Sequence, residues 1–218
     1  MTATKKIAVI LSGCGNKDGA EIHESVMTLW AIHKHGADYQ CFAPNIRQHH
    51  VLNFITDKEM AEERNVLVES ARIARGDIKD LANFDPTQYD ALIIPGGLGA
   101  AKNLSTYAFA GSDCEVNEEL ATAIRAMKNL NKPIGALCIA PVLLAKVLGD
   151  ITVTIGSDQT TIENLGKMGA SHTKTDHGEV AIDRANKIVT TPCYMLNARV
   201  DQIGDGAENV IKAILAMM

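Results

Sequence analysis

Cys138 occupies the point in this sequence best suited to nucleophilic chemistry. It lies in Gly135-Ala136-Leu137-Cys138-Ile139-Ala140-Pro141, between the strand-like run Pro133 to Leu137 and a helical stretch, Pro141 to Leu148. A nucleophile on so sharp a strand-to-helix turn needs small residues two before and two after it. Ala136 and Ala140 meet that need, as glycines do in the serine-hydrolase elbow. The following helix aims unpaired N–H groups and a positive dipole end at the sulfur. The thiol pKa is therefore expected to fall below its ordinary value, giving an activated thiolate. Cysteine at a strand end is also an ordinary core residue, so the other motifs must decide.

Two of them follow strands as well. Pro95-Gly96-Gly97-Leu98-Gly99-Ala100 brings backbone N–H groups close to a ligand and can form an anion-binding or oxyanion nest. Ser12-Gly13-Cys14-Gly15-Asn16-Lys17-Asp18-Gly19 leads into Glu21-Ile22-His23-Glu24. Its glycines fall as GxGxxxG, and the second strand ends in Ala43-Pro44 where a ribose-binding acid would be needed, so a dinucleotide site is excluded. His23-Glu24 does not open an HExxH zinc motif, because Met27 stands where the second histidine belongs. Cys14 and Cys193 both follow predicted strands. With Cys138 they could place three thiols at one sheet edge, a pattern open to sulfenic acid or disulfide chemistry, although packing alone also explains each of them.

The elements that position these residues alternate along the chain. Strands are expected at Lys6 to Leu11, Asp38 to Ala43, Ala91 to Ile94 and Pro133 to Leu137, with a hairpin from Val180 to Thr190. Helices are expected from about Ala20 to His35, Pro141 to Leu148 and about Asn197 to Met217. This order implies an α/β fold with a mainly parallel sheet and helices on both faces. Such sheets place their chemistry at the carboxyl ends of the strands. Residues 45–88 exceed a minimal doubly wound domain and read as a helical insertion, within a single domain spanning 1–218. If that insertion overlies the strand ends, Arg64, Asn65, Arg72 and Arg75 become substrate ligands or lid residues, because a guanidinium suits a carboxylate or oxyanion.

The 218 residues carry a formal net charge of −5, which gives no reason to expect nucleic acid or an anionic membrane as partner. Met1 to Lys6 run directly into an apolar strand, and neither a secretory signal nor a membrane-spanning stretch is read. Five scattered cysteines without a CxxC pair argue against a disulfide framework or zinc site and point to a reducing, cytoplasmic setting. No cofactor or metal is expected.

The runs ILSGCGNKDGAEIHESV, RNVLVESARIARG, IIPGGLGAAKNLS, GALCIAP and KIVTTPCYML together resemble the ElbB-type glyoxalase family of the PfpI-like, class I glutamine amidotransferase-like superfamily. The resemblance implies a flavodoxin-like three-layer sandwich and homodimers. It also implies that Cys138 pairs with an acid from the first helix, here Glu24, and that the backbone N–H groups of Gly97 and Ile139 form an oxyanion site. Proteases and amidotransferases of the superfamily carry a histidine base, whereas Ile139 follows Cys138 here and Val153 to Asp158 contain no histidine. The expectation is a cofactor-independent glyoxalase acting on a small carbonyl substrate. A redox-sensing or binding protein and an amidohydrolase or peptidase are the alternatives.

Overall fold

The computed structural model describes residues 4–218; residues 1–3, part of the N-terminal stretch read for a targeting signal, lie outside the described residues. The chain runs β1 (Lys6–Ile10), α1 (Ile22–Lys34), β2 (Asp38–Ala43), a short hairpin of β3 (Leu52–Asn53) and β4 (Lys58–Glu59), α2 (Val66–Ile73), β5 (Ile78–Asp80) and β6 (Ala91–Ile94). It continues through α3 (Leu98–Lys102), α4 (Tyr107–Ala110), α5 (Glu118–Asn129), β7 (Ile134–Leu137), α6 (Pro141–Leu148) and β8 (Thr152–Val153). The last elements are α7 (Gln159–Lys167), β9 (Ser171–His172), β10 (Ala181–Asp183), β11 (Ile188–Thr191) and α8 (Val200–Leu215).

Seven strands form the central sheet in the order β10-β11-β7-β6-β1-β2-β5, and only β10 runs antiparallel to its neighbour. The inner strands are short apolar runs with side chains buried on both faces, as a parallel sheet covered by helices requires. Helices α1 and α8 pack on each other, and α8 also lies along β7 and β11. Helices α5 and α6 pack against β7. The chain moves from β1 towards β2, but from β6 towards β7 and β11. Right-handed crossovers therefore send α1 and α5 to opposite faces, giving the flavodoxin-like three-layer α/β fold. The direction of travel reverses between β1 and β6, and the crevice beyond their carboxyl ends is where such sheets receive ligands.

Residues 45–88 are less helical than the sequence pattern implied. The one α-helix is Val66–Ile73, entered through Asn65, whose side chain accepts from the Val68 N–H, and single 3-10 turns follow at Leu81–Asn83 and Pro86–Gln88. Before it stands the β3–β4 hairpin, and after it β5 joins the edge of the main sheet beside β2. Ile78-Lys79-Asp80 lacks the apolar run that identified the other strands, so its pairing is a product of tertiary docking. No helix among the described residues is long and apolar enough to cross a membrane.

Candidate active site

Four strand ends, those of β1, β6, β7 and β11, converge on one carboxyl and one thiol. Beyond β1, the 12–19 loop folds against the β6 turn: the Gly99 N–H donates to Gly19 O at 2.8 Å and the Glu21 N–H to Gly96 O at 3.0 Å. Glu21 caps α1 by accepting from the Glu24 N–H at 2.7 Å, which fixes Glu24 in the first helical turn. Glu24 is completely buried, and its Oε2 accepts from the Gly96 N–H at 2.9 Å. Its Oε1 receives a longer bond, 3.4 Å, from the Tyr194 N–H beyond β11. Gly96 is required by closeness: a Cβ there would collide with the Cys138 Cβ and stand 2.7 Å from Glu24 Oε2.

Cys138 adopts the left-handed conformation, φ 59°, that a strand-to-helix elbow imposes and that non-glycine residues avoid. Its own N–H donates to Thr191 O at 2.9 Å, tying the turn to β11. The side chain is buried, set beside the Glu24 carboxyl, and approached by the backbone N–H groups of Gly97 and Ile139. One carboxyl and one thiol thus lie buried together among backbone donors.

The electrostatics correct the expectation of a lowered thiol pKa. Burial pushes Cys138 well above its ordinary value, the Glu24 charge adds to the rise, and the Gly97 and Ile139 N–H groups oppose it. Burial likewise raises Glu24 to about 8, with the Glu21 charge pushing the same way and the bonds from Cys138, Gly96 and Tyr194 pulling it down. Desolvation therefore outweighs the backbone N–H donors aimed at the sulfur. Two neighbouring acids cannot both ionise freely, so at neutral pH the pair keeps a proton to transfer.

Of the other thiols, Cys193 is the one set beside this pair. It is buried, has φ 43°, and carries a raised pKa caused by burial and then by the Glu24 and Cys138 charges. Cys14 is only partly buried, and after burial the charges acting on it are those of Glu69, Arg72, Asp18 and Arg64. The grouping of three thiols thus narrows to two. Arg64 and Asn65, expected as substrate ligands, are engaged locally. Arg64 pairs with Glu62 at 2.8 Å and Glu69 at 3.5 Å, while Asn65 caps α2 and donates to Asn45 at 2.8 Å. Arg72 also pairs with Glu69, at 2.9 Å. Sequence reading missed the part played by Tyr194, whose N–H meets Glu24 and whose hydroxyl lies 2.8 Å from His23 Nδ1. The sole local sign was its place after a strand, in Thr191-Pro192-Cys193-Tyr194.

A doubly wound α/β fold with a cysteine on its strand-to-helix elbow and a buried acid from the first helix defines the class. Residues 77–190 match the DJ-1/PfpI family, and the chain belongs to that family. It is 44% identical over 222 residues to the human glutamine amidotransferase-like class 1 domain-containing protein 3, mitochondrial, covering 97% of this chain and 83% of that one. It is 42% identical over 222 residues to the rat ES1 protein homolog, mitochondrial, with 97% and 84% covered. Among solved structures, an isoprenoid biosynthesis protein with an amidotransferase-like domain from Ehrlichia chaffeensis superposes with a TM-score of 0.91 at 36% identity, covering 98% of this chain and 100% of that one. These relatives overturn the cytoplasmic expectation, since both mammalian proteins are mitochondrial by name. Free cysteines argue for a reducing milieu, and that argument does not separate one compartment from another.

Proposed function

We propose that this protein is a cofactor-independent glyoxalase of the ElbB type that converts small 2-oxoaldehydes, such as glyoxal and methylglyoxal, to 2-hydroxy acids. In this reading residues 1–218 act as one domain around the site. The observation that carries it is the buried juxtaposition of Glu24 and Cys138, with the Gly96 N–H bonded to Glu24 and the N–H groups of Gly97 and Ile139 beside the sulfur. The Cys138 sulfur adds to the aldehyde carbon while Glu24 moves the thiol proton to the carbonyl oxygen, giving a hemithioacetal. Glu24 then takes the proton from that carbon and returns it to the adjacent one through an enediolate. Backbone N–H groups are the natural donors to the developing negative charge. The resulting thioester is hydrolysed, releasing the 2-hydroxy acid and the thiol. Oxidation at one carbon is matched by reduction at the next, so the net change is addition of water and no external redox equivalent is consumed. A carboxyl poised near 8 suits a proton shuttle at neutral pH.

The test is production of lactate from methylglyoxal by the purified protein. Cys138→Ser, which nearly preserves volume, is expected to abolish it, and a variant retaining most activity would refute the nucleophile assignment. A second reading, a redox-sensing thiol with little turnover, draws on Cys193 beside Cys138. Peroxide-dependent modification of Cys138 without release of hydroxy acid would favour it. For assembly we propose the homodimer that the resemblance implies. Ile22, Val26 and Trp30 stand exposed on one stripe of α1 beside exposed Val200 of α8, an apolar surface that a second copy would cover. Light scattering decides between dimer and monomer.

A further inference from the structure

Next to the buried pair lies an open cavity of about 710 Å³, walled by Asn16, Glu21, His23, Tyr194 and the turn Met195 to Ala198. Two of these residues are direct neighbours of Glu24: Tyr194 through its N–H and Glu21 through the helix cap. The turn carrying Tyr194 follows Cys193, held at φ 43°, and backbone strain of this kind marks positions where a structure is built to aim a group. His23 and Tyr194 meet across the cavity wall with Nδ1 and Oη 2.8 Å apart and ring centroids 5.9 Å apart, joining α1 to this turn.

The cavity is too large for the smallest oxoaldehydes alone. Methylglyoxal has five non-hydrogen atoms, and at roughly 30 Å³ for a water-sized group it fills on the order of 150 Å³. The wall chemistry states what else would fit. It offers two amides, an imidazole, a phenol and a carboxylate, groups that together donate to and accept from hydroxyls. No lysine or arginine is among the wall residues, and Glu21 is acidic, so a phosphate or carboxylate would enter without a cationic partner.

Building on the glyoxalase reading, we propose that this cavity is a recognition subsite for the uncharged, hydroxylated chain of a larger 2-oxoaldehyde, with Asn16, His23 and Tyr194 as the specificity-determining residues. The subsite selects polyhydroxylated substrates over both methylglyoxal and phosphorylated counterparts. A hydrogen bond from Tyr194 or Asn16 to a substrate hydroxyl contributes to binding of the longer compound and has no counterpart on methylglyoxal.

The experiment compares methylglyoxal, a six-carbon 2-oxoaldehyde with a hydroxylated chain, and its terminal phosphate ester as substrates of the full chain. The six-carbon compound is expected to show a kcat/KM about tenfold or more above the other two. Tyr194→Phe and Asn16→Ala are each expected to shrink that preference about tenfold, mainly through KM. In parallel, the Cys138→Ala protein is titrated calorimetrically with the six-carbon compound, with and without Tyr194→Phe, which removes a single oxygen and is checked for folding by circular dichroism. Binding that Tyr194→Phe weakens about tenfold supports the subsite even if no compound is turned over, in which case the glyoxalase reading alone falls. Turnover of methylglyoxal with no preference for the longer compound, or calorimetric binding that is absent or indifferent to Tyr194→Phe, overturns the subsite and leaves the glyoxalase reading standing.

Discussion

Replacing Glu24 with glutamine should stabilise the fold, and by an amount that grows with pH. Glu24 is fully buried, and its carboxyl is raised from the ordinary 4.5 to about 8, first by desolvation and then by the Glu21 charge. For an acid raised on folding, the native state holds its proton over a range where the unfolded chain has released it. Its favourable contribution is therefore complete below about 4.5 and is lost as pH climbs to about 8, above which the loss is constant. At roughly 1.4 kcal/mol per pH unit the whole window amounts to about 5 kcal/mol, of which roughly 3 kcal/mol has been lost at pH 7. Glutamine keeps an acceptor for the Gly96 N–H but does not ionise, so this loss is absent from the variant. Its NH2 group, a donor opposite the Tyr194 N–H, brings an offset that is the same at every pH. The informative quantity is accordingly the slope. Urea unfolding of both proteins between about pH 5 and pH 8 should show Glu24→Gln gaining on the wild type by roughly 3 kcal/mol, with the gain levelling off above that range. A difference that stays flat over the window, or wild type gaining on the variant, would refute the claim that this buried carboxyl titrates late.

Three further outcomes follow from the same geometry. Alkylation of Cys138 by iodoacetamide should keep accelerating with pH beyond the ordinary thiol range, and Glu24→Gln should move the profile to lower pH by removing a charge that raises the thiol; a wild-type profile that plateaus below pH 7 would contradict this. Gly96→Ala should cost about 1–3 kcal/mol or more in thermal or urea unfolding, since its methyl would strike the Cys138 Cβ and Glu24 Oε2; a stability equal to wild type would mean the turn is looser than described. Asn65→Ala should cost about 1 kcal/mol through loss of the α2 cap and leave methylglyoxal turnover within about twofold, whereas a large loss of turnover at unchanged stability would return Asn65 to the site.

The elbow was legible in the sequence because its constraint is local. A side chain wedged between a strand and a helix demands small flanking residues, and Ala136 and Ala140 surround Cys138 whatever the rest of the chain does. The inner strands were legible for a similar reason, since burial on both faces leaves an unbroken apolar run. Strand β5 was not, because Ile78-Lys79-Asp80 becomes a strand only when the β2 edge is there to pair with it. The partnership of Glu24 with Cys138 was available through family resemblance alone, as no spacing rule links residues that meet only when β1, β6 and β7 lie side by side. The protonation state was decided by tertiary structure outright. The helix after Cys138 argued for a low thiol pKa, but the sequence contains no measure of desolvation, and burying a carboxyl beside a thiol raises both.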